Sequence, residues 1–345
     1  MQALAEKLIR TRSLTPSEYA ELLSSCDAET ARILADTAVA LKQSVYGDRI
    51  FLRGLIEISS FCKNDCLYCG IRRSNTNCSR YRLTADEIFS CAAEGYDLGF
   101  RTFVLQGGED PYFTDERLIP VIEELKQRFP DAAVTLSLGE RSDESYAALR
   151  AAGADRYLLR HETANPLHYG KLHPKEMSLQ NRIRCLKTLK SLGYQTGCGF
   201  MVGSPYQTVE TLAEDLKFIE TFSPEMCGIG PFLPHRDTPF AAFPPGPADL
   251  TCLLLSVIRI IKPNILLPAT TALKTLIPSG RIRGILSGAN VIMPNLSPPE
   301  VREKYNLYDG KLSSGGESAQ NLEEIRKELR SIGCRATCEI GNIAE

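Results

Sequence analysis

The feature that most constrains this chain is an alternation: eight short, apolar, β-rich runs separated by stretches of helical period. The runs cover residues 50–59, 102–106, 133–138, 156–161, 196–202, 226–232, 265–271 and 290–294, with helical patterns such as 85–98, 115–129, 179–192, 209–222 and 248–261 between them. Strands that are apolar on both faces must be covered on both faces, which calls for parallel strands with helices outside. Eight such units close into a barrel without leaving an edge, and 345 residues suffice for one large barrel. The expected fold is therefore α/β, a (βα)8 TIM-type barrel with helical N- and C-terminal extensions; a doubly wound open sheet is the runner-up. The expected division is a helical extension at 1–49, the barrel at 50–300, and a helical tail of the same domain at 301–345 that includes the Gly/Ser-rich stretch 313–316. Local chemistry marks some helix starts: Thr84 and Glu87 read as a capping box, and Ser297-Pro298-Pro299 as a capped, proline-led first turn.

Charge excludes some function classes. Forty Lys and Arg stand against 42 Asp and Glu, a formal net charge of -2, so no overall basic field attracts nucleic acid or an anionic membrane. The amino terminus is charged at Glu6 and Lys7, where a signal peptide would be apolar, and the apolar run 253–261 is broken by Arg259. The chain is expected to be cytoplasmic. In that setting twelve cysteines argue for reduced thiols, metal ligands or redox chemistry.

Three of those cysteines, Cys62, Cys66 and Cys69, stand in a Cys-x3-Cys-x2-Cys array just after the first strand, on the barrel face that carries active sites. One loop with this spacing can wrap thiolates around a soft metal centre. A tetrahedral zinc site would need a fourth ligand, for which Cys78 is the nearest candidate, whereas three ligands on a four-iron cluster leave one iron open. A thioredoxin-like dithiol at Cys66 and Cys69 is the other reading. At the end of the second strand, Gln106-Gly107-Gly108-Glu109 combines close backbone approach with a carboxylate suited to an ammonium. The fourth strand ends in Arg160-His161-Glu162-Thr163, where Arg160 and Glu162 form either a structural ion pair or part of a site. His161 falls toward the packed wall.

The three-cysteine spacing, with the aromatic Tyr68 before the last cysteine, resembles the radical S-adenosylmethionine superfamily. Stretches 57–73, 81–84, 103–110, 157–163, 199–203, 228–232, 268–272 and 289–295 narrow the resemblance to the HydE family of FeFe-hydrogenase maturases, over roughly residues 45–310. Biotin synthase and the methylornithine synthase PylB are similar in architecture. The resemblance implies a radical enzyme with one 4Fe-4S cluster on Cys62, Cys66 and Cys69, and S-adenosylmethionine as cosubstrate. It implies cosubstrate contacts from Tyr68, Gln106, Gly107, Gly108, Glu109, Ser137, Glu162, Arg182 and Pro231. It further implies a substrate cavity lined by Thr135, Arg160, Met226, Thr270, Thr271, Met293 and Tyr305. The implied substrate is a cysteine-bound Fe(CO)2(CN) species from the maturase HydG, acted on by a 5'-deoxyadenosyl radical during assembly of the two-iron subcluster. The scaffold maturase HydF and a ferredoxin- or flavodoxin-type electron donor are the other implied partners.

One departure bears on cofactors. Many HydE-like chains carry a second cysteine cluster after the eighth strand, where this chain reads 311–322 without a cysteine, so no auxiliary cluster is expected. Cys334 and Cys338 supply only two thiols further on. The competing functions are another radical enzyme of the biotin synthase and methylornithine synthase group, acting on a small organic substrate, and a non-catalytic metal-binding scaffold.

Overall fold

The computed structural model describes residues 2–312 and 318–344; the Gly/Ser-rich stretch 313–316 lies outside the described residues. Parallel strands Gly54–Ser59, Thr102–Gly107, Ala133–Ser137, Arg156–Leu158, Gln195–Cys198 and Met226–Cys227 pair in that order. Single parallel bridges from Met226 to Leu266, from Pro268 to Val291 and from Leu55 to Asn295 complete the ring. The Leu55 amide donates to the Pro294 carbonyl at 2.9 Å, and the Leu55 carbonyl accepts from Leu296 N at 2.7 Å. The eighth strand thus returns to the first, and the barrel has no free edge.

Two expected strands are shorter than their apolar runs. At 265–271 only bridges form, because Pro268 has no amide to give the ladder and Thr270 turns the chain into helix Thr271–Leu276. The run 196–202 breaks at Gly199, whose φ is +154° and where a Cβ would lie 2.0 Å from the Gly228 carbonyl oxygen. It resumes as Met201–Val202, paired with Gly230–Pro231.

Helix Ala85–Asp97 begins on the expected capping box. Ser297 caps nothing: Pro298 stands at the N-cap of Pro299–Arg302, and the buried Ser297 hydroxyl accepts from the Glu57 amide at 2.7 Å. Strand alternation separates two environments. Ile56, Ile58, Phe103, Leu105, Val134, Leu136 and Tyr157 pack outward under the helices, while Leu55, Glu57, Val104, Gln106, Thr135, Ser137 and Leu158 face the lumen.

Helices Gln2–Thr11, Pro16–Ser25 and Ala28–Tyr46 precede the barrel, the last packed along Ala248–Ile261. The tail runs through Leu322–Arg330 to strand Arg335–Thr337, which pairs with Arg49–Leu52, and then crosses the lower end of the barrel. There the Arg156 guanidinium donates to Ile340 O at 2.9 Å and Asn342 Oδ1 at 2.6 Å, and Arg53 donates to Gly341 O at 3.2 Å. The chain's own tail closes that end and leaves the carboxyl ends of the strands as the mouth. Among the described residues, no helix is long and apolar enough to cross a membrane.

Candidate functional site

The cysteine loop is braced from within. Asp65 accepts from Arg72 Nε at 2.8 Å, Arg72 Nη2 at 2.6 Å, Ser74 N at 3.0 Å and Ser74 Oγ at 2.6 Å. The Arg72 guanidinium first, and then the Ser74 donors, hold its carboxyl well below the usual range. Arg80 ties the returning chain to the carbonyls of Ile71 and Arg72, each at 2.7 Å. Gly70 passes so close to the strap at 305–309 that a Cβ there would lie 2.2 Å from Asn306 O.

Cys62, Cys66 and Cys69 are free thiols on this loop and open onto one cavity. Burial pushes the Cys66 thiol up to about 12, with Cys62 adding to the effect, and raises Cys69 well above its ordinary value. Thiols whose ionisation burial disfavours become good ligands when a positively charged centre stabilises their thiolates. Three thiols on one loop, with no fourth cysteine among the described residues that line the cavity, are a donor set that fits a cluster with one open position. Cys78, the candidate fourth ligand, lies off the cavity.

The cavity has a volume of about 310 Å3, and all nine residues assigned to the cosubstrate line it together with the three cysteines. Gly108 is packed against the loop, so that a Cβ would lie 2.1 Å from Phe61 O. Glu109 is oriented by Lys63 Nζ at 2.7 Å, Asn64 Nδ2 at 3.0 Å and the Glu140 amide at 3.0 Å. Arg182 donates to Glu140 Oε1 at 2.5 Å and to the Arg160 carbonyl at 2.7 Å, and Arg160 Nη2 meets Glu162 Oε2 at 3.0 Å. The Tyr68 hydroxyl lies 3.2 Å from His173 Nε2. Burial pushes His173 down to about 3, and its Nδ1–H donates to the Tyr169 carbonyl at 3.0 Å, so Nε2 accepts from Tyr68.

The substrate set is divided by depth. Arg160, Thr270 and Tyr305 line the cavity, whereas Thr135, Met226, Thr271 and Met293 do not. Thr135 stands two residues before Ser137 on one strand and so lies one lumen layer lower. Met226 accepts from Arg53 Nη1 at 3.0 Å and packs with Phe51, Leu266 and Val291, with Met293 against the same cluster, nearer the tail. Thr271 opens helix Thr271–Leu276 and does not line the cavity, whereas its neighbours Thr270 and Ala272 do. Among the described residues, Thr135 Oγ1, Thr270 Oγ1 and Arg160 Nε are buried without a partner, which suits a polar ligand.

His173, Glu140 and Asn64 orient the cavity yet were not singled out from the sequence, because each acts from a loop distant in the chain from the group it holds. A neighbouring carboxylate near Arg182 was foreseeable; its position was not.

The Radical SAM superfamily model matches residues 56–219. The chain is 46% identical to "[FeFe] hydrogenase maturase subunit HydE" of Thermotoga maritima, over 96% of this chain and 94% of that protein. The crystal structure of methylornithine synthase (PylB) is similar with a TM-score of 0.84 and 26% identity, covering 97% of both chains. That of HydG, "a maturase of the [FeFe]-hydrogenase", gives a TM-score of 0.80 at 23% identity over 97% of this chain and 75% of that one, a likeness of fold.

Proposed function

The chain belongs to the HydE family of radical SAM enzymes, and from that premise we propose that it acts in FeFe-hydrogenase maturation, turning a 5'-deoxyadenosyl radical on a cysteine-bound Fe(CO)2(CN) precursor supplied by HydG. One observation carries this reading: three thiols, the nine residues assigned to the cosubstrate and the unpaired polar atoms of Arg160 and Thr270 share the mouth of one closed barrel. When bound, a 4Fe-4S cluster on Cys62, Cys66 and Cys69 supplies the electron for sulfonium cleavage and an open iron for the amino and carboxylate groups of S-adenosylmethionine.

The chain's own groups do the positioning. Tyr68, its hydroxyl held by His173, offers a fixed aromatic wall. Gly107 and Gly108 let the backbone approach, and Gln106 and Glu109 accept from an ammonium. Arg182, aimed by Glu140, faces a carboxylate, Glu162 accepts from ribose hydroxyls, and Ser137 and Pro231 complete the wall. Arg160 and Thr270, with Thr135 one layer below, suit an anionic ligand set, while Tyr305 keeps water from the radical. HydF would receive the product, and a ferredoxin or flavodoxin would reduce the cluster.

The test is anaerobic: reconstitute the protein, count iron, add dithionite and quantify 5'-deoxyadenosine from wild type and Cys66→Ala. About four irons per chain, with nucleoside from wild type only, is the expected result. Zinc in place of iron, or equal cleavage by the variant, overturns the radical mechanism. Hydrogenase activation with HydG and HydF, with and without this protein, then separates maturation from chemistry on a small organic substrate.

A further inference from the structure

His161 and Asp215 are wholly buried and lie off the cavity, one beyond the fourth strand and the other on helix Val209–Phe222. The Gly199 amide donates to His161 Nδ1 at 3.3 Å, so the ring proton sits on Nε2, which donates to Asp215 Oδ1 at 3.2 Å. The same carboxylate oxygen accepts from the Ala164 amide at 2.6 Å, while Oδ2 has no partner. Between these two anchors stands Glu162, with φ at +65°, a left-handed conformation that disfavours any residue with a Cβ. Its amide donates to Gly199 O at 3.0 Å. One glycine residue and one carboxylate oxygen thus clamp residues 161, 162 and 164, and the Glu162 carboxylate is delivered to the cavity wall beside Arg160. A buried aspartate with a vacant oxygen is a costly way to fasten a loop that apolar packing on Phe218 would also hold. Such a cost, spent next to a strained residue, indicates a geometric requirement at that residue.

We infer that Asp215 is a positioning residue for the cosubstrate site: by gripping the His161 ring and the Ala164 amide, it holds Glu162 in the left-handed conformation that presents its carboxylate to the cavity. The inference rests on the reading of Glu162 as a ligand of S-adenosylmethionine.

Equilibrium binding of labelled S-adenosylmethionine to the anaerobically reconstituted, unreduced protein tests it without turnover. Iron content and melting temperature are measured on each variant. Glu162→Ala and Asp215→Ala should each weaken binding about tenfold, and the double variant should bind no worse than Glu162→Ala alone. Asp215→Asn, which keeps the accepting oxygen, should bind close to wild type. Leu216→Ala, a core truncation on the same helix, should lower the melting temperature without weakening binding. Should Asp215→Ala not accumulate folded, His161→Phe takes its place with the same expectations. If Glu162→Ala weakens binding but Asp215→Ala does not, or if the two losses add, the positioning role is overturned. If Glu162→Ala itself binds normally, the cosubstrate reading of that residue falls, and the inference with it.

Discussion

The two ends of the barrel treat buried charge in opposite ways. At the lower end Arg156 is fully buried and donates to Thr102, Gln195, Ile340 and Asn342, so its guanidinium is satisfied by the chain itself. At the mouth and just beneath it, Arg160 Nε, Thr270 Oγ1 and Thr135 Oγ1 are buried without partners. Polar groups inside a fold are normally paired, and the two ends differ in who supplies the pair. The tail does so for Arg156 below, although Arg53 Nε beside it is also unpaired among the described residues. Above, the unpaired groups stand near three thiols whose ionisation burial disfavours. Stability is concentrated at one end and chemistry at the other, as in other barrels of this kind.

The widest split should come from Cys66→Ala. Iron binding and 5'-deoxyadenosine formation should fall below about one hundredth of wild type, while stability of the metal-free chain shifts by less than about 1 kcal/mol. Assays of iron and nucleoside beside a urea titration check both halves; comparable losses in stability and activity would erase the distinction between the ends.

Arg156→Leu should give the mirror image. It removes the guanidinium's four hydrogen bonds and leaves Thr102 and Gln195 as the remaining donors to Ile340 O and Asn342 Oδ1, which should lower stability by about 2 kcal/mol while cleavage per folded molecule is unchanged. The urea midpoint and the specific activity of the folded fraction measure this.

Thr270→Val removes a hydroxyl that the protein leaves unpaired. Stability should be unchanged or rise by up to about 1 kcal/mol, while turnover of the iron substrate falls about tenfold. A fall in stability would mean that the hydroxyl serves the fold.

A further effect is on pH dependence. Below pH 6.5 the unfolded chain takes a proton at His173 that the folded chain refuses until about pH 3, because the ring is buried. This histidine therefore erodes stability as the pH falls through that window, by at most about 1.4 kcal/mol per pH unit. His173→Phe should flatten the acid limb by about one proton, seen in urea midpoints taken between about pH 6.5 and 4.

Legibility in the sequence followed chain distance. The cysteine array and Gln106-Gly107-Gly108-Glu109 are contiguous, so residue type and spacing announce them, and they meet at one cavity. The strand runs were visible because apolar residues accumulate wherever both faces are covered. Pro268 shortened the seventh strand and Gly199 bent the fifth, and both exceptions come from single residues whose backbone limits are local. The serine at 297 misled as a helix cap because its hydroxyl answers to Glu57, far away in the chain. Depth misled most: Met226 and Met293 share strand alternation with lumen residues, yet they pack low, beside Arg53 and the tail.

By itself, the sequence determined the repeating β/α units, the closed barrel they favour, the three thiols and the glycine-rich element at 106–109, because each is a pattern of neighbours along the chain. Only the tertiary structure decided which inward residue lies at which level, that His173 holds Tyr68 and Glu140 holds Arg182, that Asp215 grips the strained turn at Glu162, and that the tail seals the lower end. Those are meetings between elements whose separation in sequence carries no signal. They are fixed by strand register, helix placement and the need of each buried polar atom for a partner.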